Sequence, residues 1–474
     1  MITFEKYKKI SKILNNKLKN YSTDPYFLAI KFLYIIKEHE TFTKKYDLDF
    51  YKRISFVSYI FRASYKLIIL FFLSFFLLFK KKNKIKFRLQ SKLKIIIISH
   101  YISNNKTADY DFYFGNLKIK DVSILRLLHK PILQSSSYSG KNFDYTEILN
   151  YNIGFIIHIK IIFNLFLKSI HYFINNKKIF DDQISLEYLS ISTFTNVIFY
   201  YYCSKLFKNN NFSKAICTYE GHPFERLFFL ATETSLNNIE KTGYIHTPYS
   251  ELQNSAYLNL NKKTNPTKLL TYGDFSFYIN KFEFPIKTSI LGSTRYLNKK
   301  INFIDFNKGI NNNVLFLPDG IDSEIHHFLE LAEVLSKNFS NINFIIRFHP
   351  VSKKKFLKKA KKLSKQFNNF FLSNNSIIDD SIKCKYSIYR CSSSIIQSIG
   401  YGCLPILYDL KGFVYPDPLF RIRSNILSFN NKSEAFEILK KINNDIYTKN
   451  NIEKIIKNIN YLYYKIDSNN FFDK

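Results

Sequence analysis

The sequence has no tryptophan and one methionine, and it is poor in glycine and proline, with 12 and 11 residues in a chain of 474. It contains no G-x-G-x-x-G or Walker motif for binding dinucleotides or nucleoside triphosphates. It also contains neither the H-E-x-x-H motif of zinc proteases nor the G-x-S-x-G motif of α/β-hydrolases. These absences exclude the nucleotide-binding and hydrolytic classes that carry such motifs.

Cysteine is scarce as well, and its pattern excludes two further classes. The five cysteines are an odd number without C-x-x-C spacing: Cys203, Cys217, Cys384, Cys391 and Cys403. A disulfide framework and a structural zinc site are therefore not expected, and a reducing cytosol fits best. The N-terminal residues lack the apolar segment of a signal peptide, which predicts a protein that is not exported.

Apolar residues and positive charge are abundant. Hydrophobic residues make up 46% of the chain and aromatic residues 18%, which is ample core material and argues against disorder. The length predicts two domains with additional elements. The formal net charge of +33 favours a polyanionic partner, which is nucleic acid, an anionic membrane surface or a charged substrate.

One apolar segment leaves three readings open. Residues 67–79 are apolar apart from Ser74, and lysines flank them on both sides. Thirteen residues fall short of the roughly 20 that span a bilayer, and Arg62 and Lys66 are expected to interrupt any extension upstream. The segment is a buried helix, an interfacial or re-entrant anchor with its lysines on lipid phosphates, or a true span.

Strand-like and helix-like runs alternate along most of the chain. The predicted strands are residues 93–100, 215–219, 243–246, 269–273, 289–292, 314–317, 344–348, 386–389 and 405–408. The predicted helices are residues 155–167, 191–207, 224–234, 323–337, 352–366, 393–401 and 433–465. Such a βα rhythm on both sides of a polar linker predicts an α/β protein with two Rossmann-like parallel-sheet domains facing a cleft. The predicted division is a helical, basic N-terminal extension (1–91), a first Rossmann-like domain (92–297), a linker (298–313) and a second Rossmann-like domain with closing helices (314–474).

Two motifs follow predicted strands of the second domain. Arg347-Phe348-His349-Pro350 closes one strand, and Arg390-Cys391-Ser392-Ser393-Ser394 closes another before a helix. The carboxyl ends of parallel strands are where open α/β sheets hold phosphorylated ligands, so cations, hydroxyls and N–H groups there predict a phosphate site. His349 can hydrogen-bond or protonate a leaving phosphate, and Pro350 stiffens its turn. The competing structural roles are a turn histidine, helix capping by a serine and a surface ion pair of Arg390.

A carboxylate follows a strand of the first domain in Tyr219-Glu220-Gly221-His222. Glu220 is placed to act as a general base on an acceptor hydroxyl, with Glu225 and Arg226 one helical turn further on to orient it. Pairing of Glu220 with Arg226 in a structural turn is the alternative. Asp319-Gly320 contributes a further candidate contact to donor or acceptor, although Asp-Gly is also ordinary turn chemistry. Asp109-Tyr110-Asp111 is interpreted as a chance match to a metal-binding spacing, and Asp379-Asp380 as a helix cap.

The order of Tyr-Glu-Gly, Arg-Phe-His-Pro and Ser-Ser-Ser before Gly400-x-Gly402-x-x-Pro405 resembles GT-B-fold bacterial surface-polysaccharide glycosyltransferases. It is similar to the sialyl-, polysialyl- and Kdo-transferases and the polyglycerolphosphate transferases. Tyr219 stands where that family has its first acidic residue. The resemblance implies Glu220 as base, His349 as donor-phosphate ligand and acid, and Ser392 to Ser394 as phosphate ligands. It also implies an inverting reaction without a metal.

The sequence therefore predicts a cytoplasmic glycosyltransferase, peripheral at the inner face of the bacterial plasma membrane, that builds a surface polysaccharide or lipopolysaccharide. Its donor is expected to be a CMP-, CDP- or UDP-linked sugar, its acceptor a glycan or lipid-linked glycan, and no cofactor or metal is expected. His222 joins Glu225 and Arg226 on the acceptor side, and no nucleic acid is expected. The alternatives are a nucleotide-sugar epimerase on the same fold and a non-catalytic polyanion-binding protein.

Overall fold

The structure is a computed structural model. It describes residues 4–34, 53–79, 93–100, 110–116, 122–129, 146–148, 153–178, 180–250, 252–297, 301–306, 313–349, 352–410, 415–441, 446–460 and 462–471. Within these residues, two parallel sheets carry helices on their faces, which confirms the predicted α/β class with two Rossmann-like domains.

The first sheet belongs to the N-terminal half. Its strands, with an intervening ribbon, are β1 (Leu93–His100), β2 (Tyr110–Asp111), β3 (Gly115–Asn116), β4 (Val122–His129), β5 (Thr146–Ile148), β6 (Lys214–Thr218), β7 (Glu240–Ile245), β8 (Lys268–Thr271) and β9 (Lys287–Ile290). Seven strands pair in parallel in the order β5-β4-β1-β6-β7-β8-β9, and β2 and β3 form an antiparallel ribbon. Ile95, Ile96, Ile97 and Ile98 of the central strand are all buried, as expected for a strand covered on both faces.

The second sheet repeats this plan. Its strands are β10 (Val314–Leu317), β11 (Phe344–Ile346), β12 (Phe370–Leu372), β13 (Tyr386–Tyr389), β14 (Leu404–Tyr408) and β15 (Leu427–Phe429). They are all parallel, in the order β12-β11-β10-β13-β14-β15. In both sheets the first and fourth parallel strands lie side by side, and the chain winds outward from them in opposite directions. This is the doubly wound order with its crevice beside those two strands.

The helices are α1 (Phe4–Asn20), α2 (Pro25–Leu28), α3 (Phe56–Leu78), α4 (Phe155–Asn175), α5 (Asp181–Glu187), α6 (Ile191–Asn209), α7 (Pro223–Thr232), α8 (Ser276–Ile279), α9 (Asp322–Asn338), α10 (Lys354–Gln366), α11 (Ile377–Ile382), α12 (Ser394–Gly400), α13 (Lys432–Lys440) and α14 (Lys449–Asn460). Short 3-10 turns occupy Lys31–Leu33, Ser255–Tyr257, Phe303–Phe306, Phe420–Asn425 and Ser468–Phe471. Asp24 caps α2 by accepting from Tyr26 N (2.9 Å), and Pro223 begins α7 as the sequence predicts.

Several elements differ from the prediction. The helix expected over residues 433–465 is two helices, α13 and α14. The strands β4, β5, β12 and β15 were not predicted. Three of these four strands have only three residues, which is too short for a periodic pattern to register.

The apolar segment at 67–79 is the C-terminal part of a longer helix. Helix α3 has 23 residues, begins behind the Ser55 cap and runs through Arg62 and Lys66, the two residues expected to interrupt an apolar span. Both residue types are good helix formers. Lys66 leaves the apolar surroundings by donating to the carbonyl of Leu186 (2.8 Å), while Arg62 is exposed. By length and composition, α3 and α4 are both long and apolar enough to cross a membrane.

The chain returns to the first domain at its C-terminal end. Ser293 N donates to Tyr464 O (2.8 Å), Tyr464 N to Tyr272 O (3.0 Å) and Asp467 N to Leu291 O (2.9 Å). Lys214 on β6 donates to the carbonyl of Phe471 (2.7 Å). These bonds tie the closing residues to β6 and to the ends of β8 and β9, so the chain that leaves the first domain for the second also returns to it.

Candidate active site

The predicted acceptor-side carboxylate lies at the crevice of the first sheet. Glu220 follows β6, the fourth parallel strand, which pairs with the central strand β1. Thr218 of β6 pairs with Tyr244 of β7, so Glu220 lies level with His246, the residue that follows β7. The side chain of Glu220 is 13% exposed, and its Oε2 lies 3.3 Å from Nε2 of His222. The structure therefore places Glu220 and His222 together, as the sequence predicts.

The turn that carries Glu220 is fixed through its backbone. Glu225 Oε2 accepts the N–H groups of Glu220 (2.9 Å), Gly221 (2.7 Å) and His222 (2.7 Å). Gly221 has φ +85°, and a Cβ there would stand 2.4 Å from the backbone of Ser255 and Ala256. Only glycine fits such a position. Glu225 thus orients Glu220 by holding its turn.

Burial raises the pKa of Glu225 to about 7; His222 opposes the rise and the Glu220 carboxylate adds to it. The backbone N–H donors of His222 and Glu220 also oppose the rise, because they favour the charged form. A carboxyl that accepts three backbone bonds while fully buried is a structural support of the turn, not a group that meets solvent or substrate.

Arg226 does not orient Glu220, contrary to the expectation. It is fully buried and donates to Asn265 Oδ1, Ser255 O (2.7 Å) and Leu258 O (3.2 Å). A buried guanidinium needs several acceptors, and the loop behind the turn supplies them. The alternative of a Glu220–Arg226 pair is excluded by the same contacts. Tyr219 is also buried, and its hydroxyl donates to Ala256 O (3.1 Å). The tyrosine that stands in place of an acidic residue is therefore part of the core.

The loop after β10 in the second sheet is held in the same way. Glu324, the third residue of α9, accepts the N–H of Asp319 (2.8 Å), and Gly320 N donates to Asp319 Oδ1 (2.7 Å). Burial raises the pKa of Glu324 to about 7; the Asp319 carboxylate adds to the rise and Arg390 opposes it. Asp319 and Gly320 are half-buried at the crevice of this sheet, where the sequence places them.

Arg390 is part of this support and does not lie in an open anion site. It is 1% exposed, its Nη1 lies 3.7 Å from Glu324 Oε2, and its guanidinium stacks 4.8 Å from the centre of the Tyr415 ring. The predicted direct contact with the donor is therefore replaced by a buried ion pair. A desolvated cation is stable there because a carboxylate accompanies it.

The serine triplet lies directly beyond Arg390, at the start of α12. Ser392 is buried, Ser393 and Ser394 are half-buried, and the hydroxyls of Ser392 and Ser394 bond to each other. Ser393 occupies the capping position of α12, but its hydroxyl does not cap the helix. It accepts instead from Arg295 Nη1 (3.0 Å). Helix capping, the structural alternative, therefore does not account for Ser393.

Gly402 explains part of the Gly-x-Gly-x-x-Pro pattern that follows. Its φ is +95°, and a Cβ there would meet the backbone of Asp305 at 2.5 Å. This contact joins the second domain to the linker, so the motif has a packing role in addition to its place beside the serines.

In the motif Arg347-Phe348-His349-Pro350, Arg347 supports the fold and His349 is exposed. Arg347 pairs with the buried Asp380 (3.4 Å) and donates to the Asn375 carbonyl, so it braces β11 against α11 and is not directed at a donor. Asp379 forms a capping box with Ser376, as the sequence interpretation of the acidic pair expects. His349 is exposed at the end of β11, and its carbonyl accepts from Ser352 N (2.9 Å). Pro350 lies outside the described residues.

The ends of three strands in the second sheet are level with each other. Phe316 pairs with Ile346 and Leu317 with Tyr389, so the residues after β11, β10 and β13 lie side by side. His349 and the serines consequently flank the Asp319 loop at one edge of the sheet, separated by about two strand spacings or roughly 10 Å.

Three residues of the site were missed by the sequence reasoning: Tyr113, His246 and Arg295. The ring of Tyr113 lies 4.6 Å from that of His246, in an edge-to-face arrangement. Burial raises the pKa of Tyr113 to about 12, the Arg295 cation lowers it and the Glu220 carboxylate raises it. Glu220 and Arg295 thus have opposite electrostatic effects on this phenol, and Arg295 donates to Ser393.

A signal for Arg295 was present in the sequence. It follows β9 in Gly292-Ser293-Thr294-Arg295, the same arrangement of strand end, hydroxyls and arginine as at Arg390. Tyr113 carried no such signal, because a ribbon residue among many tyrosines has no distinctive neighbours. Nearby, the discounted Asp111 is buried, caps the ribbon by accepting from Tyr113 N (2.8 Å) and pairs with Arg126 (3.4 Å), whereas Asp109 lies outside the described residues.

No metal cluster is found in the part of the chain that the structure describes, where three or more His, Cys, Asp or Glu side chains nowhere converge. The charged groups of the site are instead a carboxylate from the first sheet and a guanidinium that bridges to the second. The arrangement can accept a proton at Glu220 and hold an anion between Arg295 and the serine hydroxyls.

Comparisons with known proteins give structural likeness alone. No protein-family model and no curated protein matches the sequence. Among solved structures, the chain is similar to UDP-GlcNAc 2-epimerase from Neisseria meningitidis bound to UDP-GlcNAc, with 10% identity over 78% of this chain and 94% of that chain at a TM-score of 0.44. It is similar to Medicago truncatula UGT71G1 complexed with UDP-glucose, with 10% identity over 78% and 93% at a TM-score of 0.42. It is also similar to S. aureus TarM in complex with fondaparinux, α-GlcNAc-glycerol and UDP, with 18% identity over 57% and 56% at a TM-score of 0.37. At these TM-scores none of the likenesses bears on the function of the chain.

Proposed function

We propose that the protein is a glycosyltransferase that uses a nucleotide-activated sugar to extend a surface polysaccharide or lipopolysaccharide. One observation carries the proposal. Arg295 of the first domain donates to Ser393 at the crevice of the second sheet (3.0 Å). A proton acceptor at the crevice of one doubly wound sheet, and an anion-binding group that contacts the crevice of the other, suit transfer from a phosphorylated leaving group.

In the proposed reaction the acceptor hydroxyl attacks the anomeric carbon of the donor sugar. Glu220 takes the hydroxyl proton, with His222 steadying the carboxylate at 3.3 Å. The bond from the anomeric carbon to the phosphate oxygen breaks, and its electron pair leaves with the phosphate. Arg295 and the hydroxyls of Ser393 and Ser394 stabilise the charge that develops, and His349 protonates or hydrogen-bonds the departing phosphate. Attack opposite the leaving group inverts the anomeric centre.

A thermal-shift panel with CMP, CDP, UDP and GDP tests the donor site. A nucleotide that binds only the native state raises its stability by mass action, by about 2.7 kcal/mol at a hundredfold excess over the dissociation constant. Ser393→Ala should reduce the shift, and Ser364→Ala, at a half-buried site on α10, should retain it. Absence of a shift with every nucleotide in the wild type contradicts the proposal.

Catalysis is tested with the preferred donor and isolated acceptor glycan. Glu220→Gln should lower kcat by about 10²- to 10⁴-fold while donor binding is unchanged. Glu233→Gln, on a partly exposed carboxylate paired with Lys241, is the matched control and should be active. His349→Ala should also lose transfer while remaining folded. Donor epimerisation without acceptor would assign the site to an epimerase, and polyanion binding without donor turnover would assign it to a binding protein.

The proposed location is the cytoplasmic side of the plasma membrane, where nucleotide sugars and lipid-linked acceptors meet. The net charge of +33 supports this location, since an anionic leaflet attracts a basic protein.

A further inference from the structure

Helix α3 is packed on one side and open on the other. Its packed side contacts α4, which runs antiparallel to it. The Tyr59 hydroxyl lies 2.7 Å from Ser169 Oγ near one end of the pair, and Ser74 Oγ lies 3.0 Å from His158 Nδ1 near the other. Tyr59 also stacks on Phe173 with ring centres 4.1 Å apart. These buried polar contacts fix which face of each helix is turned toward the protein.

The opposite face of the pair is unusually apolar. Sixteen of the 27 large exposed apolar side chains in the described residues lie on α3, its C-cap or α4. They are Phe56, Val57, Phe61, Tyr65, Ile68, Phe71, Phe72, Phe75, Phe76, Phe79, Phe155, Ile156, Ile157, Phe163, Leu167 and Ile174. A contiguous apolar surface of this kind on a folded protein marks an interaction site.

The charge on this surface has one sign. Neither helix contains an aspartate or glutamate. The charged residues are Arg62 and Lys66 on α3 and Lys160 and Lys168 on α4. Lys168 pairs with Asp24 (2.7 Å), and Lys66 is held by Leu186 O and lies 3.7 Å from Glu187. Arg62 has no ion-pair partner within the part of the chain described and is exposed beside the apolar face.

A cleft opens next to Arg62. It has a volume of about 780 Å³ and lies between α3 and the start of α6, lined mostly by apolar side chains that include Phe61, Tyr65, Leu189 and Ile191. Two cations line the cleft, Arg62 and Lys66, and Lys66 is already held by the carbonyl of Leu186. Arg62 beside an apolar cleft matches the two parts of an anionic lipid, its phosphate and its acyl chain.

We propose that the outward face of α3 and α4 docks on an anionic phospholipid leaflet, with Arg62 at a lipid phosphate and the cleft open to an acyl chain. The one-sided packing favours an interfacial pair of helices over two spans, because the buried polar contacts and Lys66 keep the other side on the protein. This inference specifies the surface for the proposed membrane location and does not depend on the transfer chemistry.

The absence of tryptophan makes the test direct, because any introduced tryptophan is the only one in the chain. Phe72→Trp places it on the proposed surface, where the side chain is 72% exposed, and Leu236→Trp places it on a remote site that is 99% exposed. With vesicles of phosphatidylglycerol mixed with phosphatidylcholine, the emission of the Phe72→Trp protein should shift to the blue and be quenched by brominated acyl chains. The Leu236→Trp emission should not change.

The charge is tested in the Phe72→Trp background. Arg62→Gln should weaken partition into the phosphatidylglycerol vesicles by about fivefold, the contribution of one basic side chain near an anionic leaflet. Lys361→Gln on the exposed face of α10 is the control and should not weaken it. Partition into pure phosphatidylcholine should be weaker and insensitive to Arg62.

Three results overturn the proposal: no spectral change at Phe72→Trp, equal quenching at both tryptophan positions, or a blue-shifted emission in buffer that reverses on dilution. The last would assign the face to a second copy of the chain. Nucleotide thermal shifts need no membrane, so failure here leaves the proposed function separately testable.

Discussion

The buried pair of Glu324 and Arg390 allows a prediction with a magnitude. The two charges are 3.7 Å apart and almost fully buried. At an effective dielectric constant of about 20 their attraction is about 4 kcal/mol, and breaking such a pair by removing one partner typically costs about 3 to 5 kcal/mol. Glu324→Gln keeps an acceptor for the Asp319 N–H but leaves the guanidinium without its counter-charge. We expect the variant to be destabilised by that amount.

The assay is a double-mutant cycle of Glu324→Gln, Arg390→Met and the double variant, followed by urea unfolding with far-ultraviolet circular dichroism at pH 8. The pH is chosen because burial raises the pKa of Glu324 to about 7, so the carboxylate is charged in the folded state. The double variant should be more stable than the sum of the single changes predicts, with a coupling of at least about 2 kcal/mol. Repeating the cycle at pH 5.5 should shrink the coupling, because Glu324 is then protonated.

The same helix offers a matched control. Asp322 and Lys353 lie closer together, at 2.7 Å, but both side chains are exposed. Solvent screens such pairs, so Asp322→Asn with Lys353→Gln should show no measurable coupling. A coupling below about 1 kcal/mol for the buried pair, or one that does not change with pH, would refute the reasoning.

Three further predictions concern the first domain and its bridge. The pKa of Glu225 is raised to about 7 in the folded state from its ordinary value, so the stability that its proton contributes is present in acid and is lost as pH rises from about 4.5 to 7. Wild type should therefore lose about 3 kcal/mol relative to Glu225→Gln over that range in parallel unfolding titrations, and a constant difference contradicts this. Gly221→Ala should lower the unfolding free energy by about 2 kcal/mol or more and reduce kcat, because of its φ and its close backbone neighbours; a neutral effect would show that the turn is not fixed. Arg295→Met should weaken nucleotide binding about tenfold in calorimetry, as loss of a charge-assisted bond predicts, whereas the exposed Arg53→Met should not.

The sequence was sufficient to predict the strands and helices that alternate regularly along the chain. Long β-branched runs such as residues 93–98 and helices with clear caps identified both sheets and their order of elements. The strands β12 and β15 were not predicted, because three residues are too few to show a hydrophobic periodicity. Their positions are set by pairing with β11 and β14. The extent of the apolar run in α3 was underestimated for a different reason. Arg62 and Lys66 were expected to interrupt it, whereas the helix is long and apolar enough to cross a membrane despite them, and Lys66 donates to a carbonyl of another helix.

For the candidate site, sequence reasoning located strand ends better than side-chain directions. Glu220, His222 and the serines lie where their motifs predict. Arg226, Arg347 and Arg390 do not reach open positions, because each is held by acceptors distant in sequence that the motif does not include: Asn265, Asp380 and Glu324. Arg295 was missed because its partner, Ser393, lies in the other domain.

The two crevices share one device that explains why so many motif arginines and glutamates are buried. Glu225 and Glu324 each stand at the third position of the helix after a strand, and each accepts N–H groups from the strand-to-helix loop. Burying a carboxylate in this way is unfavourable, as the raised pKa of both groups indicates. Because of this burial, the geometry of the loop is set before any ligand binds. Fixed dipoles and charges stabilise a transition state most effectively under that condition. The buried glutamates of the motifs therefore act on the backbone. Under the proposed function, the groups that meet the substrates are the residues with exposed surface that this backbone presents: Glu220, Arg295, Ser393 and His349.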